Sequence, residues 1–195
     1  MRAVVVLAHP DAHSFNHAVA DAACTALRAA GHEVVLHDLY AEEFRAVMSA
    51  AEREAYHGDH PVLDPLVQVH IDDVLSAEAL VFVYPTWVTT MPAILKGWLE
   101  RVMVPGVGFK FNRTGRVVPG LTHVRRIVGI STYSAPRRNV WISNDNGRRT
   151  LIRAIRLSTG IRTRSRWLAL YTIDATSAAE RAAFLGRVGT TMGRL

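Results

Sequence analysis

Two stretches of this chain place side chains where a phosphorylated, flat ring could be held. In His9-Pro10-Asp11-Ala12-His13-Ser14-Phe15-Asn16 a short loop separates an apolar run from a helical pattern. Strand, short loop and helix in that order aim unpaired helix N–H groups at an anion. The loop adds donors of its own: His9, the Ser14 hydroxyl and the Asn16 amide, with the backbone amides of Phe15 and Asn16 completing a cradle. The same residues also read as structure alone, Ser14 as a helix N-cap and His9 as a hydrogen-bonded loop histidine. The second stretch, Tyr84-Pro85-Thr86-Trp87-Val88, closes another apolar run and carries a tryptophan into the loop beyond it. An aromatic side chain with free backbone amides beside it suits a flat ring with polar edges. The chain has no Gly-x-Gly-x-x-Gly and no Gly-x4-Gly-Lys-Ser/Thr, which argues against a Rossmann dinucleotide site and a P-loop. His-Glu-x-x-His, Gly-x-Ser-x-Gly and Cys-x-x-Cys are absent too.

The elements that must position these stretches follow from periodicity and punctuation. Ala3–Ala8 is expected as the first, central strand, Glu33–His37 as the second and Ala79–Tyr84 as the third. Phe15, Ala18, Val19, Ala22, Ala23, Ala26 and Leu27 keep helical spacing, with Ser14 as N-cap and Gly31 just past the end. Residues 40–63 are mixed and polar with short helical pieces, and Leu66–Leu75 is a helix. Pro92 stands where a first helical turn begins, and Leu95, Trp98, Leu99 and Val102 form one apolar helix face. Residues 105–119 read as a long loop, Val124–Ile130 as strand four, 145–158 as a helix and Trp167–Ile173 as strand five. Ser177 and Glu180 make a capping box for a closing helix to Thr190. Strand and helix alternate throughout, which predicts an α/β fold with a doubly wound five-stranded parallel sheet and helices on both faces. Ligands bind at the carboxyl edge of such sheets. No repeat or linker is visible, so residues 1–195 are expected to form a single domain.

Pro85-Thr86-Trp87-Val88-x-x-Met91-Pro92-Ala93-Ile94-Leu95-Lys96-Gly97-Trp98-Leu99-Glu100-Arg101-Val102 resembles the flavin-loop motif of the flavodoxin-like NAD(P)H:quinone oxidoreductases. His9-x-x-x-x-Ser14-Phe15-Asn16 is similar to that family's phosphate loop, and a weaker resemblance runs to about residue 135. The resemblance implies a flavodoxin-like strand order of 2-1-3-4-5. It also implies a flavin, FAD or alternatively FMN, reduced by NAD(P)H and reoxidised by a quinone or similar small electrophile, in a homodimer. The implied cofactor-binding residues are His9, Ser14, Phe15, Asn16, Pro85, Thr86, Trp87, Val88, Ser131, Thr132, Tyr133 and Ser134. The last four occupy the family's Thr-Thr-Gly-Gly turn, where Tyr133 and Ser134 replace glycines. Tyr133 then either meets flavin or substrate, narrows the pocket, or packs at a strand end. No acid–base residue is assigned, because the cofactor carries the hydride chemistry. Two other resemblances compete. Ala8-His9-Pro10-Asp11 looks like the start of the motif of zinc-dependent sugar N-deacetylases, but Ala12 and His13 replace its acidic pair. Some relatives of the flavin-loop motif are ancillary, regulatory subunits of membrane transporters.

Composition narrows the field further. One cysteine, Cys24, forbids an intrachain disulfide and fits a reducing cytoplasm. It lies on an alanine-rich helical pattern and is expected to be buried. No apolar run approaches the roughly 20 residues of a membrane span, and no integral membrane protein is expected. The formal charge of +6 hides a steep asymmetry. Residues 1–100 hold 5 basic and 14 acidic side chains, net −9, whereas residues 101–195 hold 18 basic and 3 acidic, net +15. No nucleic-acid-binding motif accompanies the basic half, so no nucleic-acid partner is assigned. Arg149, Arg153 and Arg156 share a helix face, and Arg162, Arg164 and Arg166 alternate. These arginines suit the acidic half of a second subunit or the 2′-phosphate of NADPH, for which Arg137 and Arg138 are candidates. Trp98, Trp141 and Phe109-Lys110-Phe111 are the aromatics expected at a subunit interface.

Overall fold

The computed structural model of the chain describes residues 1–58 and 61–195. Five parallel strands form the sheet: β1 (Arg2–Leu7), β2 (Glu33–Asp38), β3 (Ala79–Pro85), β6 (Arg126–Thr132) and β7 (Arg164–Leu170). They lie in the order β2-β1-β3-β6-β7. This is the expected 2-1-3-4-5, because the intervening strands β4 (Phe109–Phe111) and β5 (Val117–Pro119) form a separate antiparallel hairpin. That hairpin lies inside the segment expected to be a loop; its strands are only three residues each.

Alternation along β1 divides the core in two. Val4 and Val6 face α3 (Pro65–Ser76) and α4 (Ala93–Val102), while Ala3, Val5 and Leu7 face α1 (Phe15–Ala29) and α8 (Ala178–Met192). β3 is buried along its whole length, as a central strand covered on both faces must be. Ser14 caps α1 by accepting from the His17 amide, and Ser177 with Glu180 forms the capping box of α8. Cys24 is buried on α1.

Several boundaries differ from expectation for identifiable reasons. Pro92 is the N-cap of α4, with extended ψ, and not its first helical residue. β7 begins three residues earlier than expected. As an edge strand it exposes Arg164 and Arg166 on one face, so its first half lacks the apolar run that marks a buried strand. Its Trp167 lies over Gly129 of β6, where a Cβ would sit 2.1 Å from the indole. Between β6 and β7 the chain forms α5 (Arg137–Ile142), α6 (Asn146–Arg149), a π-helical segment (Thr150–Ala154) and α7 (Ile155–Thr159). α5 is too short to show a period. In the mixed segment 40–63, α2 (Ala50–Ala55) carries its own capping box from Ser49 and Glu52; residues 59 and 60 of that segment lie outside the described residues. Trp98 corrects the interface expectation. It is fully buried between the sheet and α3, and its Nε1 donates to His70 Nδ1 at 2.8 Å. Trp141 is exposed, as expected.

Candidate functional site

The two motif loops meet at the carboxyl edge of β1 and β3. The strand pairing places Leu7 beside Val83, and the loop after β3 is tied to the end of β6 by Thr86 N–H donating to Thr132 O at 2.8 Å. Thr86 Oγ1 and Ser131 Oγ lie 2.8 Å apart below it. Between the loops is a cavity of about 210 Å³ lined by His9, Ser14, Phe15, Asn16, Pro85, Thr86, Trp87, Thr132 and Ser134. Nine of the twelve candidate residues therefore share one cavity. Val88 and Tyr133 line the adjoining cavity, and Ser131 is buried beneath. Ile173 and Asp174, from the single 3-10 turn after β7, close the first cavity and were not anticipated. Their only sequence signal is their place just beyond the carboxyl end of a strand.

At the head of α1 the amides of Phe15 and Asn16 have no backbone acceptor, as the first turn of a helix dictates. The Asp11 amide donates to His9 Nδ1 at 3.1 Å, which leaves the other ring nitrogen of this cavity-lining residue outside that contact. Burial lowers the His9 pKa, which favours the neutral ring. Asn16 is 4% exposed; its Nδ2 donates to Thr132 Oγ1 at 3.2 Å while its Oδ1 has no partner. A hydroxyl donates as readily as it accepts, so the amide can equally turn its NH2 to the cavity. A buried amide with one unpaired end is what a cofactor phosphate or hydroxyl would satisfy. Ser14 Oγ stands 2.9 Å from His17 Nδ1, and His17 Nε2 stands 2.9 Å from Asp38 Oδ2. Ser14 is thus both N-cap and cavity wall.

The loop after β3 is strained. Trp87 and Thr90 exchange both backbone hydrogen bonds at 3.0 Å, and the two residues between them, Val88 and Thr89, have φ of 46° and 63°. Two consecutive left-handed residues make a type I′ turn, for which Asn-Gly is the usual sequence. β-branched residues there cost on the order of 1–3 kcal/mol each, and such strain concentrates at functional sites. Glu43 and Thr172, in the connections after β2 and β7, share positive φ with them, as do Asn144 and Asp145 between α5 and α6. Trp87 is itself half exposed, its ring 6.0 Å from that of His9, so it offers an aromatic face to the cavity.

Tyr133 turns inward. It is buried, stacks on Tyr171 at 4.9 Å, and its hydroxyl donates to Asp145 Oδ1 at 3.0 Å. Burial raises the pKa of both Tyr133 and Asp145. Tyr133 thus packs at the strand end and also lines the cavity that adjoins the first.

The histidines of the first loop do not assemble a metal centre. His9 and His17 are 6.3 Å apart between ring centres, and His13 is exposed. The one His/carboxylate group with metal-ligand spacing among the described residues is His37, Glu42 and His70, under α3. Trp98 donates to His70 Nδ1, so the proton of that ring sits on Nε2, which faces Glu42 Oε2 at 3.0 Å as N–H and offers no lone pair. Burial raises the Glu42 pKa, but its contacts with His37 and His70 outweigh that and bring it to about 2.

Replacing Trp87 by Ala, or Ser14 and Asn16 together by Ala, is expected to weaken cofactor retention more than fold stability. Each neutral hydrogen bond removed costs roughly 1 kcal/mol, and about twice that toward a charged phosphate. Isothermal titration with FAD and FMN beside thermal melts of the same samples checks this. A double variant that melts early yet binds flavin normally would reduce Ser14 to a cap.

Comparison with known proteins places these features. The family model described as a flavodoxin-like fold matches residues 1–162. NAD(P)H dehydrogenase [quinone] 1 of Rattus norvegicus is 34% identical over 125 residues, covering 56% of this chain and 46% of that protein. An uncharacterized NAD(P)H oxidoreductase of Haemophilus influenzae is 32% identical over 111 residues, covering 56% and 54%. The chain spans about half the length of these relatives. Among solved structures, Smu.1420 from Streptococcus mutans superposes with a TM-score of 0.84 at 25% identity, covering both chains fully. The NAD(P)H:quinone oxidoreductase from Methanothermobacter marburgensis gives 0.83 at 22%, covering 99% of this chain and 96% of that one.

Proposed function

This chain belongs to the flavodoxin-like fold family, and from that premise we propose that it is a flavin-dependent NAD(P)H oxidoreductase that reduces quinones or similar small electrophiles. The observation that carries this is the cavity at the carboxyl edge of β1, β3 and β6, which joins an anion-ready helix start to an aromatic loop with a half-satisfied buried amide. A flavin bound there supplies reversible two-electron hydride chemistry. The chain's own residues bind and orient. His9 Nε2, the Ser14 hydroxyl, the Asn16 side chain and the amides of Phe15 and Asn16 would hold phosphate. Trp87 would stack against the ring system, and the amides of the Val88–Thr89 turn would meet a polar ring edge. Asp174 would accept from sugar-alcohol hydroxyls. No side chain is required as acid or base, since the second proton of a quinol comes from solvent.

FAD is favoured over FMN on the Ser14-Phe15-Asn16 form of the phosphate loop. A homodimer and a cytoplasmic location belong to the same proposal. Val88 and Phe111 are 92% and 55% exposed, apolar surface that a second copy would cover. Among the described residues no helix is long and apolar enough to cross a membrane.

Steady-state kinetics test the activity. Flavin-loaded protein should oxidise NAD(P)H in the presence of a quinone with parallel double-reciprocal lines, because both substrates use one face in turn. Failure of both NADH and NADPH to bleach the bound flavin anaerobically would exclude hydride transfer. Light scattering at micromolar concentration tests the dimer, and a fully active monomer would contradict it.

A further inference from the structure

Near the site is a second cavity of about 370 Å³, bounded by Arg137, Arg148, Arg149, Arg153, Trp141 and Tyr171. It continues the first along the carboxyl edge. Val140 is shared with the adjoining cavity, which in turn shares Thr86 and Ser134 with the cavity at His9 and Trp87. None of the four arginines makes an ion pair among the described residues. The one carboxylate in the wall, Asp145, already accepts the Tyr133 hydroxyl. Four arginines thus line one cavity with a single carboxylate among them.

Three of these arginines come from one irregular helical stretch: Arg148 and Arg149 end α6, and Arg153 lies in the π-helical segment Thr150–Ala154. Such bulges are frequent at functional sites. Trp141, on α5, leaves its ring 82% exposed at the rim, although an indole costs free energy in water. Forked guanidinium donors match phosphate oxygens bidentately, and an exposed indole stacks on a flat heterocycle. The two together describe a purine nucleoside carrying a phosphate monoester.

We propose that this cavity binds the 2′-phosphorylated adenosine of NADPH and makes NADPH, and not NADH, the preferred reductant. The proposal rests on the oxidoreductase reading above and names the donor for that same site. The nicotinamide end would reach toward Trp87 through the cavity at Val88 and Tyr133, and the phosphate would lie among the arginines.

Two measurements decide it. The first is binding of 2′,5′-ADP and of 5′-AMP to the whole protein by calorimetry, which needs no turnover. 2′,5′-ADP should bind at least about tenfold more tightly, the discrimination one charge-assisted phosphate contact supplies. Arg149→Ala with Arg153→Ala should abolish that difference, and Trp141→Ala should weaken both nucleotides. The second is kinetics: the double variant should raise KM for NADPH about tenfold relative to KM for NADH. Equal binding of the two nucleotides to the unmodified protein would overturn the proposal. So would a double variant that keeps the KM ratio but halves in mass, which would give the arginines to a second copy of the chain. A protein that binds 2′,5′-ADP selectively but oxidises neither dinucleotide would remove the oxidoreductase reading while leaving the phosphate site standing.

Discussion

Arg101→Leu is expected to destabilise the protein by about 3–5 kcal/mol, the usual consequence of leaving the partners of a buried charge uncompensated. Arg101 is 2% exposed. Its Nε donates to Glu52 Oε1 at 2.9 Å, one terminal nitrogen to Arg45 O at 2.6 Å, and the other to Asp64 Oδ2 at 2.8 Å as well as to Glu52. The guanidinium thus fastens α4 to α2 and to the start of α3. Glu52 is itself buried and also closes the capping box of α2, so the variant strands a carboxylate and loosens a helix start together. The acid response fixes the sign. Burial pushes the Glu52 pKa up, but hydrogen bonds from Ser49 and Arg101 outweigh it and hold the group below its ordinary value; Arg101 does the same for Asp64. A carboxyl depressed in the folded state contributes stability that is present above its unfolded pKa of about 4 and is lost as pH falls through the folded value. The deficit of the variant should therefore be full at neutral pH and shrink below about pH 4. Urea melts at neutral and acid pH measure it, and a deficit that stays constant into acid would show that lost packing, not charge, dominates.

Trp98→Ala should cost a similar amount, about 3–5 kcal/mol, through the cavity left by a fully buried indole. The ring meets Phe82 of β3 edge-on at 5.9 Å. It also fixes the tautomer of His70 through its N–H, and so governs which ring nitrogen faces Glu42. Trp98→Phe fills most of the space but leaves His70 Nδ1 without its donor, and should cost roughly 1–3 kcal/mol. Chemical denaturation of both variants separates the terms. Equal losses would mean that the hydrogen bond contributes little. A Trp98→Ala protein of unchanged stability but altered mass in solution would restore Trp98 to a subunit interface.

The contrast between those residues and the motif loops shows what a linear chain discloses. Ser14, Asn16 and Trp87 were legible because short strand–loop–helix units fix their positions locally, and nine of the twelve candidates share the cavity for that reason. The sheet order was implied by the family resemblance, and the buried runs of β1 and β3 supplied the strands. The interior role of Trp98 depended on His70, 28 residues away, and that of Arg101 on Glu52 and Asp64, 49 and 37 residues away. No local pattern records such pairs. β7 was placed late because an edge strand with arginines on one face breaks the apolar signal. The stretch from Arg137 to Thr159 was blurred because two short helices and a π-helical segment never hold one period long enough to read. The hydroxyl of Tyr133 meets Asp145, a partner set by that irregular segment.

The central claim is that a flavin occupies the cavity at His9, Asn16 and Trp87. The most direct test is a titration of the purified chain with FAD and with FMN, following the visible absorption of the oxidised ring and the fluorescence of Trp87. One flavin should bind per chain at micromolar concentration or below, with a shifted visible spectrum and quenched tryptophan emission that Trp87→Phe largely removes. A folded chain that leaves both spectra unchanged with either flavin would contradict the assignment of the site.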